Sequence, residues 1–148
     1  MPRNRAGSID QDYKYFMAKI AEDPIAGGQE YLRRLQQSPK LSPGAQKTML
    51  RLERMLADPE DTSEWQRGSG VRSITDAIGF VVSNSLLNKE GIGVVHVGPR
   101  EDIVNTVANM ISEDVDFTKW TPIQRRLKII AESYGYFVYQ LPEERLVY

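Results

Sequence analysis

Apolar residues along this chain recur mostly at three- and four-residue intervals, and the breaks between runs carry proline, glycine or a capping residue. Ile9, Tyr13, Phe16, Met17 and Ile20 form one helical stripe behind Ser8–Gln11, a segment that suits a capping box. Asp23-Pro24 closes that helix and opens a second. Tyr31, Leu32 and Leu35 are its expected buried residues, and Gly27 and Gly28 weaken it. Ser38-Pro39 stops the second helix, Ser42-Pro43 starts a third, and Asp58-Pro59 ends it. In the third, Ala45, Met49, Leu52 and Leu56 fall at coiled-coil-like spacing. Three helices with narrow apolar stripes and polar backs need partner surfaces. Those surfaces are one another, the C-terminal half, or a second copy of the chain, and the seam from Ala45 to Leu56 points to a homo-oligomer.

The pattern divides the chain into a helical N-terminal region, residues 1–59, a polar linker, residues 60–72, and a domain over residues 73–148. The linker ends in Gly68-Ser69-Gly70 and holds one large apolar residue, Trp65. Ser73 then caps a helix whose apolar face is Ile74, Ile78, Val81, Val82 and Leu86. A turn at Asn88–Gly91 leads into a strand over Ile92–Val97, and Gly98-Pro99 begins a helix with Ile103, Val107, Ala108 and Ile111 on its core face. After an acidic loop comes Thr121-Pro122-Ile123-Gln124, a helix start with a capping-box partner in Gln124. Ile123, Leu127, Ile130, Ala131 and Tyr134 share one face of that helix, and Gly135 suits a left-handed stop. Tyr136–Leu141 is a strand, Pro142–Arg145 a turn and Leu146–Tyr148 a returning strand. The fold class is α+β, mostly α, with a small antiparallel sheet. In order from Ser73, the elements are helix, strand, helix, helix, strand, turn and strand. That order resembles the winged-helix topology, and it covers about half of the chain. Two features depart from the usual pattern: a long acidic loop before the last helix, and a very short wing carrying Glu143 and Glu144.

Composition narrows the function classes. The chain has 148 residues and a formal net charge of −1, so no global field draws it to nucleic acid or to an anionic membrane. Residues 1–70 hold 11 basic and 10 acidic side chains and the remainder 8 and 10, so any binding patch is local. The absence of cysteine removes disulfides, thiolate metal sites and cysteine nucleophiles, and it fits a reducing, cytoplasmic setting. The basic N-terminus is followed by no apolar run of the signal-peptide kind, and the apolar windows are too interrupted to span a membrane.

Candidate chemistry is sparse. The winged-helix resemblance implies that the helix before the hairpin enters a DNA major groove, which makes Lys119, Arg125, Arg126 and Lys128 the DNA-binding candidates. Lys128 also faces Glu132 one turn on. The aromatic cluster around the last strand offers Trp120, Tyr136 and Tyr139 as protein-interface candidates. His96 is the one histidine and sits in a valine-rich strand without ligand-spaced partners, so a structural role is expected. Glu113-Asp114-Val115-Asp116 lacks the glycine and distal glutamate of a calcium loop, and Gly98-Pro99 lacks a phosphate-loop motif. No catalytic residue, metal or cofactor is expected. The favoured function is a non-enzymatic DNA-binding regulatory or accessory protein, and the alternative is a protein–protein adaptor or assembly subunit that does not touch nucleic acid.

Overall fold

The computed structural model describes residues 8–61, 73–96 and 119–141. Five helices and a two-stranded antiparallel sheet lie among them: α1 (Ser8–Glu22), α2 (Pro24–Gln37), α3 (Pro43–Ala57), α4 (Ile74–Asn88), β1 (Ile92–His96), α5 (Pro122–Ser133) and β2 (Tyr136–Gln140). The protein is therefore α+β and mostly helical. The linker with Trp65, the helix read from Gly98-Pro99, the acidic loop, the wing and the returning strand lie outside the described residues.

The starts of α2 to α5 are set by local chemistry. Asp23 accepts from the Ala26 amide, Ser42 from Ala45 and Ser73 from Asp76, each satisfying a first-turn N–H that has no partner within its helix. At α5 the capping box closes in both directions. The Gln124 amide donates to Thr121 Oγ1 at 3.1 Å, and the Thr121 amide donates to Gln124 Oε1 at 2.9 Å. The Gln124 Nε2 group also donates to the Glu90 carbonyl at 2.8 Å, which ties the start of α5 to the turn between α4 and β1. Gly135 ends α5 with φ of 87°, a left-handed conformation that glycine adopts without steric cost.

The centre of the molecule is α4. The sequence marks one apolar face on this helix, but the structure buries it nearly all round: Ala77, Gly79, Ser83, Ser85 and Leu87 are covered as well as Ile78, Val81, Val82 and Leu86. The helices α1, α2 and α3 and the strand β1 all pack on it. Its two buried serines are satisfied by tyrosines from different helices. Tyr13 of α1 hydrogen-bonds Ser83 at 2.6 Å, and Tyr31 of α2 hydrogen-bonds Ser85 at 2.7 Å. The apolar stripes of α1–α3 are consumed within the chain. Leu52 is fully buried, and Ala45, Met49 and Leu56 pack against the core that also holds Tyr13, Val82 and Val138.

The glycines of α2 mark a close approach. A Cβ on Gly27 would lie 2.7 Å from Ile20 Cγ1 and 3.1 Å from the Ile20 backbone, so α1 and α2 meet nearly backbone to backbone. In the sheet, β1 pairs with β2 from Ile92 opposite Gln140 to His96 opposite Tyr136. Tyr136 and Val138 face the core, as the alternation along β2 requires. Tyr139 stands opposite Gly93, and its ring fills the space that a β-carbon there would take. The helix α5 packs on β2 and, along its other flank, on α1.

Candidate functional site

The outer face of α5 is the surface on which the sequence places function. Leu127 and Ala131 are buried, and Ile123 and Ile130 are half-buried against the core. That leaves Arg125, Arg126 and Ile129 pointing outward. Ile129 is 68% exposed, the most exposed large apolar residue described. Single apolar side chains exposed in this way are common on protein surfaces.

The four basic candidates divide into two pairs. Arg126 reaches across to α1, with its Nε 3.5 Å from Asp10 Oδ2. Lys128 donates to Glu132 Oε2 at 2.7 Å, one turn along the same helix. Arg125 and Lys119 are exposed, and neither has an ion-pair partner among the described residues. Exposed ion pairs contribute about 0–1 kcal/mol, so Arg126 and Lys128 are restrained by theirs and not locked.

Two of the three interface candidates are core residues. Trp120 is 2% exposed and Tyr136 5% exposed, so this chain itself covers the surface that a partner would need. Tyr136 points inward because it lies in register with Val138 on the core face of β2, and its hydroxyl reaches the space above Gly79. Burial raises its pKa above the ordinary phenol value, with Tyr13 and Asp76 adding to the effect. Tyr139 is half-buried over Gly93 and is the interface candidate that keeps an accessible edge. His96 ends β1 opposite Tyr136. Among the described residues no group of three or more His, Cys, Asp or Glu could hold a metal, and no helix is long and apolar enough to cross a membrane.

A second feature is not visible in the sequence pattern. The α2–α3 turn, α3 and the outer side of α4 border a half-open cavity of about 530 Å³. Arg34, Lys40, Lys47, Arg51 and Lys89 line it, and among the described residues no aspartate or glutamate does. These cations come from α2, the turn after it, α3 and the residue that follows α4, and each looks like part of an ordinary solvated face on its own. The one available signal was the lack of acidic residues from Pro39 to Leu52, a run that holds Lys40, Lys47 and Arg51.

No protein-family model matches this chain, and neither the curated proteins nor the solved structures contain a significant match to it.

Proposed function

We propose that this protein is a non-enzymatic DNA-binding regulatory or accessory factor that meets duplex DNA with the outer face of α5. The observation that supports this most directly is the position of Arg125 and Lys119. Both are exposed at the N-terminal end of a projecting helix, and neither has a carboxylate partner among the described residues. Arginine and lysine in that situation are available to phosphate oxygens, and a guanidinium can also reach guanine edges in the major groove. Among the described residues of 74–140 the order is helix, strand, helix and strand, and its resemblance to the winged-helix arrangement supports the same orientation.

The test is a titration of the full chain against a varied pool of duplexes at several salt concentrations. Removing a cation that neutralises one phosphate lowers the magnitude of the salt slope by about one unit. The double variant Lys119→Ala/Arg125→Ala should bind more weakly and flatten the slope by about two units. Arg126→Ala and Lys128→Ala should have smaller effects, since each side chain must first leave a carboxylate. Circular dichroism confirms folding of the variants. Absence of wild-type binding at low salt, or an unchanged slope in a folded double variant, removes the DNA reading.

The exposure of Ile129 favours a second reading, a protein–protein adaptor that does not touch nucleic acid. An apolar side chain at the centre of the face is well suited to an apolar pocket on a protein and poorly suited to phosphate. Ile129→Ala separates the two readings, because it removes the apolar contact without changing the charge of the face: it should weaken a protein contact and leave the salt slope of DNA binding unchanged.

A further inference from the structure

We propose that the cavity between α2, α3 and α4 binds a phosphorylated small molecule of nucleotide size. Two independent properties of the cavity support this, and neither depends on what α5 binds. Its volume of about 530 Å³ falls in the ordinary range for small-ligand sites.

Charge is the first property. Five basic side chains and, among the described residues, no acidic one line the cavity, in a chain whose formal net charge is −1. Arg34 is held at the rim by Asp12 at 2.8 Å, and its guanidinium lies 4.8 Å from the centre of the Phe16 ring. Lys40, Lys47 and Lys89 have no carboxylate partner among the described residues. Desolvation lowers the pKa of Lys89, and the nearby Arg34 charge lowers it further. A bound phosphate relieves that repulsion. The capped N-terminus of α3 also borders the cavity at Ser42, Gly44 and Ala45 and adds positive potential to the same space.

The second property is the apolar wall. Leu35 and Val81 are buried there, and Leu41 and Phe80 are half-buried. A free phosphate has no use for such a wall, whereas a flat heterocycle packs on it. Cations for a phosphate and an apolar wall for a flat heterocycle together fit a nucleotide.

Calorimetric titration of the full chain with adenosine and guanosine mono- and diphosphates tests the assignment, with inorganic phosphate, adenosine and a short single-stranded oligonucleotide as comparison probes. Saturable binding of a nucleotide is expected, tighter than that of inorganic phosphate or of adenosine alone. Lys47→Ala/Lys89→Ala should weaken it about tenfold, and Lys47→Arg/Lys89→Arg should restore most of it. Both residues are exposed overall, so the variants keep the fold, which circular dichroism checks. Failure of every nucleotide to bind, or affinity unchanged in the folded double alanine variant, overturns the proposal. Inorganic phosphate binding as tightly as the nucleotides overturns the size assignment, and preference for the oligonucleotide transfers the cavity to nucleic acid. Neither result bears on the salt slope set by Arg125 and Lys119, so the two proposals fail separately.

Discussion

Tyr13, Tyr31 and Tyr136 are phenols enclosed by the core, and burial is the main cause raising each of their pKa values. Hydrogen bonds from Ser83 and Ser85 act in the opposite direction at Tyr13 and Tyr31 without cancelling it. The folded values lie above the unfolded one, about 10. The stability that these protonated phenols contribute is therefore fully present below about pH 10 and is lost as pH rises beyond it. The loss is about 1.4 kcal/mol per pH unit for each phenol that stays protonated only in the fold. The urea midpoint should be level from about pH 7 to 9 and then fall steeply, with phenolate absorbance appearing at the unfolding transition. A midpoint level to about pH 11 would show that these groups ionise in place. At this scale the sequence was informative wherever chemistry acts over a few residues. The caps at Asp23, Ser42, Ser73 and Thr121 and the left-handed Gly135 were all readable. Trp120 and Tyr136 were misassigned to an interface because burial depends on what lies across space, and spacing alone does not show that.

Among the elements, the glycines of α2 separate propensity from packing. Gly27 and Gly28 look like weak points in a helix, yet both are buried where neighbouring elements come close. A β-carbon on Gly27 meets the backbone of Ile20, which cannot rotate away. On Gly28 it meets the side-chain ends of Ile78 and Leu56 at 3.1 and 3.3 Å, which can. Alanine gains about 1 kcal/mol in helix propensity at either site, and overpacking costs about 1–3 kcal/mol where nothing yields. Gly27→Ala should therefore destabilise the protein clearly more than Gly28→Ala in chemical denaturation. Equal effects would mean that α1 and α2 can move apart freely. The helix α4 teaches the same lesson. Ser83 and Ser85 lie outside the apolar face that the spacing marks, but both are buried and paired with tyrosine hydroxyls that lie 70 and 54 residues away in sequence. Periodicity located the helices, and it was silent on which of them would be enclosed.

For the molecule as a whole, the fold class was legible because stripe spacing and strand alternation are local patterns. The surface that the α3 seam packs on was not: the chain itself buries Leu52 and packs Ala45, Met49 and Leu56 against its core. The cationic cavity was hidden for a related reason: a balanced net charge averages over side chains that tertiary packing gathers into one place.

The shared core also determines how the polypeptide would behave if it were cut. The apolar cluster runs without interruption from Tyr13 to Val138, so stretches on both sides of residues 62–72 contribute to one interior. Neither stretch has an interior of its own to fall back on. Severing the chain between Gln66 and Arg67 should yield two fragments that reconstitute one another non-covalently, as in a complementation pair. Co-expressed, residues 1–66 and 67–148 should co-purify one to one and recover the helical spectrum of the intact chain. Produced separately, each should be unfolded or aggregated, because the surface of α4 or the stripes of α1–α3 would face water. A cooperative melting transition in either lone fragment would show that it carries a self-sufficient fold.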